Sequence, residues 1–302
     1  MKELEELTTN ANVAAWVPAD TYADLILEAS VCYGQLSGVV TAIDYDLKAG
    51  QGDTIQIRYA PARTAQGPID ACGCLSATSS TLGTYSVTVK AYGDYDLMCG
   101  FSLFKAKGPV KEAILKEMAK GLAKKRDEEI WSELTSVTPG YTATLSHAWN
   151  ASVVTDGCCF DAVDIYNKVV YLYKQMQAGA MNPDYVILNP EVAAHFYYKD
   201  NGSIPAVKNI MPLLKFDNGG QLVGIGPLSV IESCVASSGT DKSGATLAVV
   251  IDSSRAVGEA WGKRPKFNEF YEVDCDRYKE TVWMYWGASE MDTNAIGHIL
   301  NP

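Results

Sequence analysis

Catalytic and metal-binding chemistry needs histidines, cysteines, carboxylates or glycine loops at recognisable spacings. The chain has three histidines, His147, His195 and His298, far apart and in no HExxH or HxH pattern. A zinc-binding helix needs two of them one turn apart on one face, so each reads as structural. No GxSxG elbow is present. Gly219-Gly220 and Gly224-Ile225-Gly226 lack the lysine of a phosphate-cradling loop, and the first pair precedes a strand rather than a helix. Asp274 and Asp276 read as turn residues. No Cys–His or Ser–His–Asp arrangement can be assembled from these spacings. The sequence therefore offers no catalytic residue, no cofactor-binding residue and no metal ligand. Neither a cofactor nor an enzymatic activity is expected.

The eight cysteines are Cys32, Cys72, Cys74, Cys99, Cys158, Cys159, Cys234 and Cys275. None forms a CxxC pair, and only Cys72-Gly73-Cys74 and the vicinal Cys158-Cys159 cluster. A structural zinc site would want two chelating pairs. The expectation is mostly buried, reduced thiols in a protein made in a cytoplasm. Cys72 and Cys74 are too close to bond each other without strain, so any bridge would reach another segment, such as Cys158 or Cys159.

The composition, 47% hydrophobic and 20% charged, is that of a globular protein with a sizeable core. A net charge of −11 argues against gripping nucleic acid through the overall field. The acidic, polar start MKELEELTTN resembles neither a secretory signal nor a transit peptide, and no apolar run approaches a membrane span.

The longest helical signal runs from Gly108 to Ser136. Pro109 suits a first helical turn, where its missing N–H costs nothing. Ile114, Met118, Leu122, Ile130 and Leu134 recur at multiples of four, with Leu115 and Trp131 widening the stripe. Lys111, Glu112, Lys116, Glu117, Lys120, Lys124, Asp127 and Glu128 mark the other face. At 1.5 Å per residue this spine is roughly 40 Å long.

Around it the chain reads as α+β, without regular strand–helix alternation. A helix after Trp16-Val17-Pro18 ends near Cys32, and a strand is expected over Val39–Leu47. Thr54–Tyr59 and Thr84–Ala91 alternate strictly, as half-buried strands do. Between them lies a long polar tip, Ala60–Gly83, and two strands with such a tip make an arm that needs something to lie on. Gly93–Lys107 reads as a return toward the core, and Val137–Gly157 as a hairpin. Asp161–Gln177 is a second amphipathic helix, with Asp161 as its cap and Ala162, Tyr166, Val169, Val170, Tyr173 and Met176 facing inward. Tyr185–Leu188 is a buried strand, followed by a helix from Pro190 to about Tyr198. Strands are expected at Gln221–Ile225, Leu228–Glu232, Thr246–Ile251, Ala256–Trp261, Phe267–Glu272, Tyr278–Trp286 and Asn294–Leu300.

The order of these pieces resembles a family. A Trp-x-Pro helix is followed by Gly52-Asp53-Thr54-Ile55-Gln56-Ile57, and a long β-arm returns through Thr84-Tyr85-Ser86-Val87-Thr88-Val89. The spine then ends in Lys124-Lys125-Arg126-Asp127-Glu128-Glu129-Ile130-Trp131, and Asp184-Tyr185-Val186-Ile187-Leu188-Asn189-Pro190 follows a helix. Over nearly its whole length the chain looks like a tailed-phage major capsid protein of the Hong Kong phage type, with the HK97-like fold.

That resemblance implies an N-terminal arm and helix (1–36), a peripheral-domain strand (37–50) and an extended β-arm (51–92). It implies a peripheral domain with the spine at 108–136 (93–157) and an axial domain (158–254). Further peripheral strands (255–290) and a C-terminal strand returning to the axial domain (291–302) complete it. Arg63, Gln66, Ile69, Cys72, Cys74 and Leu75 at the arm tip would contact another subunit. The partners implied are further copies of the chain in hexamers and pentamers, a portal, separate scaffolding or decoration proteins, and packaged double-stranded DNA bound without sequence specificity. No membrane is implied. The location implied is the virion capsid, assembled in a host cytoplasm. Few residues precede Trp16, so no cleaved scaffolding segment is expected, and the tip lacks a lysine for a covalent cross-link. An encapsulin-type compartment shell is the alternative with the same fold. An enzyme with an unrecognised site is a more remote one.

Overall fold

The computed structural model describes residues 34–43, 53–59, 83–100, 110–146, 160–197, 211–218, 221–236 and 244–302. Two mixed sheets organise these residues, and one long helix bridges them.

The first sheet has four strands: β1 (Thr41–Ile43), β4 (Lys90–Cys99), β11 (Val257–Glu272) and β12 (Arg277–Glu290), in the order β1-β11-β12-β4. β11 and β12 form a long antiparallel hairpin, and β4 runs antiparallel to β12. β1 joins β11 in parallel. The spine helix α1 (Val110–Ser136) lies across this sheet. Met118, Ala119 and Leu122 pack there against Val282 and Met284.

The second sheet has seven strands in the order β5-β13-β10-β6-β9-β8-β7. Its members are β5 (Tyr141–Thr144), β6 (Tyr185–Leu188), β7 (Leu214–Phe216), β8 (Leu222–Ile225), β9 (Leu228–Glu232), β10 (Thr246–Ile251) and β13 (Ile296–Leu300). Helices α2 (Phe160–Ala178) and α3 (Pro190–Tyr197) cover one face through Ile165, Val169, Leu172, Met176, Val192 and Phe196. The last turns of α1 cover the other. Ile130 and Leu134 there meet Ile187, Val249, Ile251 and Ile296. Burial on both faces explains why the central strands are nearly continuous apolar runs rather than alternating ones. β2 (Thr54–Tyr59) and β3 (Gly83–Thr88) form a separate antiparallel ribbon, the root of the β-arm.

Several elements differ from the sequence reading. The strand expected at Val39–Leu47 is a 3-10 turn over Gln35–Val39 followed by β1; residues 44–47 lie outside the described ones. Thr84–Ala91 is not one strand. The ladder breaks at Val89, whose N–H donates to the Asp53 carbonyl at 2.7 Å, and the chain passes from the ribbon into the four-stranded sheet. The segment Gly93–Lys107, read as a return toward the core, begins within the ten-residue β4; residues 101–107 lie outside the described ones. Of the hairpin expected in Val137–Gly157, the described residues hold one strand, β5, which pairs in parallel with β13 in the seven-stranded sheet although it falls in the segment expected to lie with the spine; residues 147–157 lie outside the described ones. Ala256–Trp261 and Phe267–Glu272 are one strand, continued through irregular registers at Trp261–Lys263 and Lys263–Lys266. Asp161 lies inside α2 and not at its cap, and the deepest residues of that helix include Ile165 and Leu172 rather than Val170.

Candidate assembly face

Spine residues Met118, Leu122, Ile130 and Leu134 are buried, and Ile114 is half-buried beside the first group. They serve two cores. Met118 and Leu122 hold the four-stranded sheet, whereas Ile130 and Leu134 hold the seven-stranded one. The helix thus locks the two sheets in a fixed relation.

Between the two groups lies a buried polar node that the sequence reading missed. Arg126 Nη2 pairs with Glu259 Oε2 at 2.5 Å, with both side chains almost fully buried. Trp286 Nε1 donates to the same Glu259 oxygen at 2.9 Å, and Trp261 Nε1 donates to the other at 3.4 Å. The guanidinium carbon also stands 5.0 Å and 5.7 Å from the Trp261 and Trp286 ring centroids. Such pairing and ring contact offset the desolvation of two ions.

Asp127, expected on the solvent side, is buried instead. Its Oδ2 accepts the Gly34 N–H at 2.7 Å, and the Gln35 and Leu36 amides also face this carboxylate. It therefore caps the 3-10 turn that carries the buried Leu36 and Val39. Burial pushes its pKa up to about 6 against the pull of those amides and Arg126. A signal was present in the sequence: position 126 fills the gap in the series 118, 122, 130, 134, and Asp127 is four residues from both Ala123 and Trp131.

His298 has a structural role. Its Nε2 lies 2.7 Å from the Leu134 carbonyl oxygen, tying β13 to the last turn of the spine. Burial lowers its pKa, so the neutral ring donates to that helix-end carbonyl. His147 and the side chain of His195 lie outside the described residues. Asp276 sits in a left-handed turn, and its Oδ1 accepts from Tyr271 Oη at 3.0 Å. The expectation of buried, reduced thiols needs correcting. Cys99 and Cys275 are not disulfide-bonded but are exposed, because one ends β4 and the other occupies the hairpin turn. Cys234, exposed just after β9, is disulfide-bonded.

The remaining candidate is a surface. Arg63, Gln66, Ile69, Cys72, Cys74 and Leu75 of the arm tip lie outside the described residues, but the arm's root is clear. Ile55 and Val87 pack on Ala260. β3 passes so close over β12 that a Cβ at Gly287 would collide with the Thr88 carbonyl.

On the four-stranded sheet, the face away from α1 exposes Tyr95 (64%), Leu97 (45%), Phe270 (58%), Trp283 (45%) and Tyr285 (40%). The cross-strand register puts them on one side: Leu97 opposite Lys279 opposite Phe270, and Tyr285 opposite Lys263. Trp283 lies over Gly93, where an added Cβ would strike its ring. Lys279 and Lys263 stand over the Tyr95 and Tyr285 rings at 5.7 Å and 5.6 Å. An apolar patch this concentrated, with cations over two of its rings, is the usual mark of an interaction surface. The sequence reading gave Phe267–Glu272 and Tyr278–Trp286 as strands but did not separate their two faces.

Neither a cluster of potential metal ligands nor a helix long and apolar enough to cross a membrane occurs among the described residues. Comparison with known proteins decides what such a face belongs to. The family model described as phage capsid protein matches residues 103–286, more than half of the chain. This chain belongs to the phage capsid protein family. The capsid protein's fold is also that of solved capsids. It resembles the capsid of cyanophage P-SCSP1u at 11% identity and TM-score 0.63, over 87% of this chain and 86% of that one. It resembles the Mycobacterium phage Che8 structure at 15% identity and TM-score 0.60, over 87% and 90% of the two chains. It resembles the capsid of a native GTA particle at 10% identity and TM-score 0.56, over 88% and 89%. No curated protein matches the capsid protein in sequence. Its fold class is therefore the α+β, HK97-like capsid fold expected from the order of its elements. It is a structural protein of the virion shell.

Proposed function

We propose that this capsid protein assembles as hexamers and pentamers into a closed shell around double-stranded DNA, in a host cytoplasm, with a portal and separate scaffolding or decoration proteins as further partners. The four-stranded sheet with α1 would be the peripheral part of the subunit, and the seven-stranded sheet the axial part. The observation that carries this reading is the open face of Tyr95, Leu97, Phe270, Trp283 and Tyr285. A subunit that lived alone would lose solubility by exposing it, whereas a shell subunit buries it against a neighbour. The arm from the β2–β3 ribbon, rooted near Ala260 and Gly287, supplies a neighbour's segment of the right kind to cover it.

The test is the double substitution Trp283→Glu, Tyr285→Glu. Both side chains are exposed, so the subunit should fold with unchanged circular dichroism yet yield no closed shells by electron microscopy. Normal shells from that variant would remove the face from the assembly surface.

A further inference from the structure

Four strands bound the two large sheets. In their described residues β1 has three, β5 four and β7 three. The fourth, β4, has ten, about 33 Å of edge. Among the described residues no strand pairs with its outer side. A long edge carrying exposed Tyr95 and Leu97 is what another strand adds to most readily.

This edge is occupied by its own side chains. The Tyr95 N–H donates to Asp94 Oδ1 at 2.9 Å, and the Leu97 N–H donates to Asp96 Oδ1 at 2.8 Å. In an antiparallel ladder, alternate residues bond to the partner strand and the others point outward. Two successive outward donors of β4 are therefore taken. A joining strand would also bring its carbonyl oxygens against two carboxylates, where like partial charges repel.

We propose that Asp94 and Asp96 close the β4 edge against strand addition by a second copy of this chain, so that free subunits at high concentration associate through their faces and not edge to edge. The excluded partner is this protein's own most abundant neighbour. Because the proposal concerns the unassembled subunit, it does not depend on which surfaces the shell uses.

The experiment compares two double variants of the full chain with the parent, as dispersed subunits. Asp94→Asn, Asp96→Asn keeps an oxygen acceptor at each position and removes the charge. Asp94→Ala, Asp96→Ala removes both. Residue-resolved hydrogen exchange reads the caps, and sedimentation with infrared spectroscopy reads association and intermolecular β-structure. In the alanine variant, exchange at the Tyr95 and Leu97 amides should rise about tenfold, the worth of a charge-assisted bond. It should also form β-rich aggregates that are not shells, at concentrations where the parent stays dispersed. The asparagine variant should keep the amide protection and fall between the two in association. Unchanged exchange at both amides in the alanine variant would overturn the proposal, as would association no stronger than the parent's.

Discussion

Arg126 on the spine helix and Glu259 on β11 meet at 2.5 Å in a site closed by Trp261 and Trp286. The pair stands where the helix passes from one sheet to the other, between Leu122 and Ile130. Removing one partner leaves an uncompensated buried charge, and that cost exceeds the net worth of the intact pair.

Arg126→Met in the unassembled subunit should therefore destabilise it by about 3–5 kcal/mol in chemical denaturation. Arg126→Met with Glu259→Leu should lose clearly less than the sum of the single changes. Additive losses would show that the two charges do not act as a unit.

Asp127 makes stability depend on pH. Its pKa is about 6 in the folded protein, raised from 3.8 mainly by burial. The folded state thus holds a proton that the unfolded chain has released between those values. The penalty of the ionised, buried carboxylate is absent below pH 3.8 and grows as pH rises toward 6. It is fully present above that, at most on the order of 3 kcal/mol. Asp127→Asn keeps an acceptor for the Gly34 N–H and cannot ionise. Relative to the parent, this variant should gain stability as pH rises from 4 to about 7. A pH-independent difference would contradict the assignment.

Much of this was legible in the sequence, for identifiable reasons. The spine, the ribbon strands and Tyr185–Leu188 carry strong periodicity or continuous apolar runs, and local pattern decides them. The polar node was not legible, because a charged residue on an apolar stripe reads as a boundary until its partner is known, and Glu259 is 133 positions from Arg126. β4 was missed because Asp94 and Asp96 disfavour a strand locally, and only the ladder to β12 imposes it. β5 could not be assigned because its partner, β13, lies at the far end of the chain. The open face was hidden because aromatic residues occupy both sides of β12, so alternation did not separate Trp283 and Tyr285 from the buried Met284 and Trp286.

Gly287 sets the approach of the arm. A Cβ there would push on the Thr88 carbonyl, which is backbone and cannot swing aside. Gly287→Ala should leave a folded subunit whose β2–β3 ribbon is displaced. Protection of the ribbon amides should fall in hydrogen exchange while that of β6 and β10 is unchanged, and shell yield should drop. Unaltered ribbon protection would show that the contact yields without consequence.

Deleting Ala62–Thr81 removes the polar tip and leaves the ribbon intact. On the proposal that this segment contacts another subunit, the truncated subunit should remain soluble and folded by circular dichroism but fail to close shells. Closed shells from the deletion would assign the tip to its own chain's surface.

The most direct measurement is electron microscopy of particles formed by the full chain in cells, with analysis of their contents. The prediction is closed icosahedral particles, built of hexameric and pentameric units, that enclose double-stranded DNA when the packaging machinery is present. A protein that stays monomeric or dimeric at every concentration, or shells that hold a cellular cargo enzyme and no DNA under those conditions, would contradict the account.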